Sequence, residues 1–270
     1  MKRRLLLVMS LCLPCLPALA GGDEPHARAE LIAEQDSAVA GQTLFIGLHL
    51  DIDEHWHVYW NGYNDSGYPI ELNLEAPAGY EIGEVLWPAP ERLVHADGEV
   101  LDHVFHDSVT LIVPITVPTE ATPGESVTIT GSADWLVCKK ACIFESDDKL
   151  EITVPISGFT KRSSDAPHFD KTRDRLPEPI GRMDIVEAER IGDTLDVFSP
   201  GAMTIAFYPA QDCPPAINLI DDGQINGPRM KLRFEHDKAE HAPIRGVLEI
   251  FGRGTMGPNS RVYLIDLPAG

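Results

Sequence analysis

Cysteine is scarce in this chain of 270 residues: there are five, at positions 12, 15, 138, 142 and 213. Once residues 1–20 are set aside as a leader, no Cys-x-x-Cys thioredoxin motif remains, and no second cysteine pair stands ready to complete a four-ligand zinc site. Basic charge is also short, with 22 Lys and Arg against 42 Asp and Glu, a formal net charge of −20. Such a surface repels nucleic acid and anionic lipid, which bind through basic patches. Beyond the first residues no apolar run approaches the roughly 20 positions that a membrane span needs. Helical periodicity is not sustained anywhere, and neither a nucleophile motif nor a phosphate-cradling glycine loop supports hydrolase or transferase chemistry.

The first 20 residues read as a secretory signal peptide. Lys2, Arg3 and Arg4 open it, an apolar stretch from Leu5 to Leu16 follows, and Ala18-Leu19-Ala20 offers a small-residue cleavage site. A lipoprotein signal is the weaker alternative, because Leu11 precedes Cys12 and Pro14 precedes Cys15, where a lipobox wants a small residue. Cleavage after Ala20 removes three basic residues and no acidic one, leaving 19 against 42, or −23. The expected product is exported, periplasmic or otherwise outside the cytoplasm, without stable membrane insertion. Its 250 residues allow one large or two smaller domains with a core that needs no disulfide support.

The pattern along the chain is all-β. Stretches 28–34, 43–51, 57–60, 70–75, 109–117, 126–137 and 149–156 carry β-branched or alternating apolar residues between Gly, Pro, Asn and Asp. Seven short strands at that spacing predict an immunoglobulin-like antiparallel β-sandwich over 21–157. Residues 158–180 are polar and hold Pro167, Pro177 and Pro179, which predicts a linker with a short helix around 167–175. Strand patterns resume at 185–190, 194–198, 203–208, 231–235, 244–251 and 260–265, predicting a second, smaller β domain over 181–270. Its lone Cys213, followed by Pro214 and Pro215, reads as a buried or free thiol before it reads as a resolving one.

The stretch Asp134-Trp135-Leu136-Val137-Cys138-Lys139-Lys140-Ala141-Cys142-Ile143-Phe144-Glu145-Ser146 concentrates the chemistry. Four extended steps would separate the two cysteines by roughly 13 Å, too far for a disulfide, so the chain must turn within Lys139-Lys140-Ala141 if the sulfurs are to meet. Two adjacent ammonium groups favour thiolate over thiol and suit an exchange-competent pair. Paired cysteines in an exported domain are also an ordinary structural staple, and spacing alone does not decide between staple and relay. His55 and His57 alternate in a way that suits a metal pair, but no third ligand is identifiable, so neither metal nor cofactor is expected.

Several separate motifs of the first domain occur together: His55-Trp56-His57-Val58-Tyr59-Trp60, Asn64-Asp65-Ser66-Gly67, Trp87-Pro88-Ala89-Pro90, Val113-Pro114-Ile115, and Trp135-Leu136-Val137-Cys138-Lys139-Lys140-Ala141-Cys142-Ile143. In this order, over about residues 28–157, the chain resembles the N-terminal periplasmic domain of DsbD-type and ScsB-type thiol:disulfide interchange proteins, and the second domain resembles more weakly the β region that follows in the ScsB type. The resemblance implies an immunoglobulin-like fold whose cysteine pair takes electrons from a thioredoxin-like donor and passes them to oxidised periplasmic proteins. It makes Cys138 and Cys142 the catalytic pair of a thiol:disulfide oxidoreductase, with Cys142 the better candidate for the attacking thiol. Tyr59 and His57 fall where aromatic residues approach the sulfurs, with Lys139, Lys140 and Trp135 in support. The stretch 90–106 is read as a loop resembling a lid, in which Leu101, Val104 or Phe105 supplies apolar cover and Gly98 flexibility.

Two departures qualify the resemblance. Phe144 stands where the ScsB-type pattern commonly has proline after Cys-Ile. The chain also carries neither a multi-span membrane domain nor a thioredoxin-like domain, so a relay would draw electrons from a membrane transporter or soluble thioredoxin-like partner in trans. The competing expectation is a non-catalytic exported binding or scaffold protein in which the Cys138 to Cys142 bond is a staple.

Overall fold

The structure is a computed structural model describing residues 24–181, 184–252 and 260–269. The leader reading of 1–20, with Cys12 and Cys15, lies outside the described residues. Ten strands build the first domain: β1 (Ala27–Ala33), β2 (Thr43–Ile52), β3 (His57–Tyr59), β4 (Glu71–Glu75), β5 (Glu81–Ile82), β6 (Glu91–His95), β7 (Val100–Phe105), β8 (Ser108–Thr116), β9 (Ser126–Cys138) and β10 (Cys142–Pro155). They form one sheet in the order β1-β2-β8-β5 and a second in the order β10-β9-β3-β7-β6, with β4 also paired to β9. Leu44, Ile46, Leu48 and Leu50 of β2 and Leu111, Val113 and Ile115 of β8 meet Val58, Ile129, Trp135 and Val137 of the other sheet in a continuous core. This is an all-β, immunoglobulin-like sandwich, as the alternating strands predict.

Both faces of β2 and β8 are buried, because helix α1 (Ala166–Arg173) covers the outer face. Its fully buried Phe169 packs on Ile32 and Ile112. Gly47 makes room for it: a Cβ there would stand 3.0 Å from Phe169 Cζ and 2.7 Å from the Thr110 methyl. The stretch read as a linker is therefore docked along the first domain. Ser163 Oγ donates to the Ala33 carbonyl, and Thr172 Oγ1 donates to the Thr110 carbonyl at 2.9 Å. One buried phenylalanine anchors a segment whose overall polarity suggested solvent.

The second domain contains β11 (Glu178–Pro179), β12 (Glu187–Ile191), β13 (Thr194–Phe198), β14 (Ala202–Pro209), β15 (Gln224–Asn226), β16 (Arg229–Arg233), β17 (Ile244–Gly252) and β18 (Ser260–Leu267), with short helices α2 (Leu219–Asp222) and α3 (His236–Ala239). Its sheets run β11-β18-β17-β14-β15 and β12-β13-β16. Phe207, Leu232, Phe234, Leu248 and Ile265 fill the space between them.

The largest difference from the sequence reading lies at 90–106. The expected loop is the hairpin β6–β7, which extends the second sheet beyond β3. Its turn runs through three residues with positive φ, Ala96 (50°), Asp97 (58°) and Gly98 (91°). Fully buried Asp102 and His103 interrupt the apolar pattern of β7, which is why hydropathy concealed the strand.

Candidate functional site

Strands β9 and β10 form one long hairpin whose ladder runs from Ser126↔Pro155 to Cys138↔Cys142. The chain reverses within Lys139-Lys140-Ala141, where the Lys139 amide donates to the Ala141 carbonyl at 3.3 Å. Cys138 and Cys142 are bonded as a disulfide with their Cα atoms 4.1 Å apart. Directly opposed residues of an antiparallel pair project to the same face, so both sulfurs stand on one side of the sheet. The two cysteines are unequal: Cys138 is 4% exposed, whereas Cys142 is open to solvent at the turn.

Strand β3 brings the neighbouring side chains. His57 is opposed to Cys138, and Val58 to Val137. His57 and Tyr59, two apart, share the sulfur face, and Tyr59 Oη lies 3.8 Å from Cys142 Sγ. A disulfide sulfur carries no proton, so the phenol is the donor in this contact. His57 Nε2 lies 3.4 Å from the same hydroxyl. Burial, with His106 beside it, pushes the His57 imidazole down to about 4, so it is neutral at pH 7. Burial pushes the Tyr59 phenol up, which keeps its proton in place. Glu91 accepts a hydrogen bond from His106 and raises that imidazole.

Tyr59, Val104 and Cys138 form a small apolar cluster with Leu93 and Leu136 packed against it. Val104 thus sits against the buried sulfur's surroundings as part of β7. Leu101, also in β7, is 1% exposed. Phe105 alternates to the opposite face and belongs to the sandwich core beside Trp87. Trp135 also points into the core, and its Nε1 donates to Glu145 Oε2 at 3.1 Å; Glu145 accepts the His26 and Ala27 amides as well, tying the start of β1 to this hairpin. Lys139 and Lys140 are exposed at the turn. His55 precedes β3 with φ of 70° and is exposed, so it does not share a strand face with buried His57. Burial pushes the Cys213 thiol up to about 11, which makes it a poor nucleophile near neutral pH.

Sequence reasoning missed the loop between β3 and β4. Gly67 lies directly on the Tyr59 ring, where a Cβ would stand 1.9 Å from Cε1. The fully buried Asp102 carboxylate holds this loop by accepting the Ser66 amide at 2.9 Å, the Ser66 hydroxyl at 2.6 Å and His95 Nε2 at 2.9 Å. Asn64 Oδ1 accepts the His103 amide at 2.7 Å. The string Asn64-Asp65-Ser66-Gly67 carried the signal: short polar residues ending in glycine that reach back to the chain. Gly67→Ala is expected to force ring and loop apart and to destabilise the domain by about 1–3 kcal/mol, measured by urea unfolding; an unchanged midpoint would refute the packing described.

Further along the same hairpin, Phe144 is 68% exposed, and Tyr68 before β4 is 73% exposed. With Pro69, Leu136 and the edges of Glu71, Asp134 and Trp135 they line a mostly apolar cleft of about 330 Å³. Among the described residues no group of three or more His, Cys, Asp or Glu side chains is placed to hold a metal ion. Likewise, no helix among them is long and apolar enough to cross a membrane.

Residues 28–153 match the family model described as "Thiol:disulfide interchange protein DsbD, N-terminal". Among solved structures, the N-terminal periplasmic domain of ScsB from Proteus mirabilis superposes with a TM-score of 0.55 at 13% identity, covering 95% of this chain and 97% of that one. The YadV chaperone and the E. coli chaperone DraB align at TM-scores of 0.24 and 0.21, with 7% and 10% identity over 87% and 89% of this chain and 100% and 98% of theirs, too low to relate the folds. No curated protein sequence matches. The family match spans the sandwich that carries the disulfide, and the ScsB likeness extends the same fold across both β domains. Residues 28–153 are a DsbD-type N-terminal domain of the thiol:disulfide interchange family.

Proposed function

We propose that this protein is an exported thiol:disulfide relay in which Cys138 and Cys142 cycle between disulfide and dithiol. The observation that carries the reading is the asymmetry of the pair: an exposed Cys142 sulfur beside the Tyr59 hydroxyl, and a Cys138 sulfur buried behind it. A thiolate of a thioredoxin-like donor attacks Cys142 Sγ, and the S–S bond breaks with its electron pair on Cys138, which takes up a proton. The donor's second thiol then attacks the mixed disulfide and releases Cys142. In the second half, the Cys142 thiolate attacks an oxidised exported protein and Cys138 resolves that mixed disulfide. The donor dithiol has become a disulfide, the acceptor's disulfide a dithiol, and the relay is restored. Tyr59 donates a hydrogen bond to sulfur as negative charge develops, and neutral His57 beside it adds no competing positive charge. The apolar cleft beside Phe144 and Tyr68 supplies a desolvated rim for docking either partner.

The test is the equilibrium reduction potential of the Cys138–Cys142 bond, read by thiol trapping and mass spectrometry across a dithiothreitol series. A value of roughly −120 to −270 mV fits a relay, whereas one well below about −300 mV would mark a staple and overturn the reading.

A further inference from the structure

Among the described residues, the second domain meets hairpin β6–β7 on the face opposite the sulfurs. In β6 and β7 the alternation is strict: Leu93, Asp102 and Val104 lie on the sulfur side, while Arg92 and His103, opposed in register, project to the reverse side. There they meet the second domain. Arg92 Nη2 donates at 3.0 Å to the carbonyls of both Leu219 and Ile220 in α2. Tyr208 of β14 packs edge-on against His103 at 5.5 Å and Trp60 at 6.4 Å between ring centroids.

Two further ties fall at the ends of the segments that wall the disulfide. The Tyr63 amide, in the loop that places Gly67 on Tyr59, donates to the Pro209 carbonyl at 2.9 Å. Immediately before β6, the Ala89 and Pro90 carbonyls accept from Arg175, whose Nη1 also donates to the fully buried Glu249 carboxylate at 2.9 Å. Glu249 accepts the Tyr208 and Ser260 hydroxyls at 2.6 Å each. Charge-assisted bonds to a buried carboxylate are among the stronger fixed points a fold can have.

We propose that the second domain is a buttress for the redox site, and that Arg92 and Arg175 are positioning residues that hold hairpin β6–β7 and its Leu93–Val104 wall against Tyr59 and Cys138. The inference rests on the relay reading for its purpose, because a wall that limits access to the disulfide matters only if the bond is exchanged. Removing either tie loosens the wall and uncovers Cys138, adding a second point of attack to the already open Cys142.

The experiment uses the full chain and follows reduction of the Cys138–Cys142 bond by dithiothreitol, at urea concentrations far below the unfolding midpoint. Arg92→Ala is expected to raise the rate about tenfold, equivalent to about 1.4 kcal/mol in the barrier. Arg92→Lys, which keeps a donor within reach of the same carbonyls, is expected to restore most of the native rate, a rescue that general destabilisation does not give. Glu249→Gln, which weakens the Arg175 tie while keeping its shape, is expected to accelerate reduction as well and decides the matter if Arg92→Ala does not fold. Native rates in the folded variants would overturn the proposal. This readout is a ratio between variants and is defined even if the native potential proves to be that of a staple, so the two readings fail separately.

Discussion

Cys142→Ser is expected to reduce thiol:disulfide exchange to background, while Cys138→Ser leaves a reactive Cys142 that accumulates a mixed disulfide with its partner. The asymmetry follows from exposure: an incoming thiolate reaches Cys142 at the open turn, whereas Cys138 is 4% exposed behind Tyr59 and Val104. Both variants should remain folded, because a bond closing so short a ring stabilises by only about 2 kcal/mol in the chain-entropy account. Trapping with an oxidised thioredoxin-like protein, whose disulfide the remaining thiolate attacks while the partner's other sulfur leaves as a thiol, followed by mass spectrometry, separates the two. Accumulation at Cys138 in the Cys142→Ser variant, with none at Cys142 in the other, would reverse the assignment. Unfolding of both would favour the staple.

Acidification is expected to produce the second large effect. His57 and His103 are held at about 4 in the folded protein, chiefly by burial, against an ordinary value of 6.5. Between these values the unfolded chain binds protons that the folded one refuses, so stability falls as pH drops from about 6.5 to about 4 and is level above that window. Each group accounts for at most about 3 kcal/mol, since every tenfold loss of proton affinity on folding corresponds to about 1.4 kcal/mol. Burial lowers His49 too and adds to the same trend. His106, raised by Glu91, works against it: its contribution is complete below its ordinary value and is lost as pH rises through the raised one. Urea midpoints measured from pH 7.5 to 4.5 should therefore decline, and His103→Leu should flatten part of the curve. A midpoint that does not move over that range would contradict the burial of these imidazoles.

Much of the fold was legible because strands with one buried face alternate openly. The predicted 194–198 is β13 itself, and 43–51, 109–117 and 244–251 differ from β2, β8 and β17 by a residue or so at their ends. What failed to show was structure held by buried polar groups. Asp102 and His103 make β7 look like a loop, although each is fully enclosed and hydrogen-bonded by partners 36 and 40 residues away in sequence. The segment 142–148 was missed for a related reason: charged and exposed residues there belong to β10, whose pairing with β9 sets the conformation. At the site, the turn between the cysteines could be deduced from reach alone. The Tyr59 contact came from the family resemblance, while the role of Gly67 depended on a ring-to-backbone approach that no local pattern records.

The register of the hairpin has a consequence for what reduction transmits. Cys138 and Cys142 face each other at the end of a ladder that begins at Ser126 and Pro155 and is pinned further along by Glu145. The sulfurs are thus neighbours by virtue of the sheet, and breaking their bond frees almost no chain. Under the proposed relay, opening the bond requires no change of shape in the hairpin. A relay built in this way would be a conduit, passing reducing equivalents while presenting the same outline to each partner, with direction set by the partners' potentials.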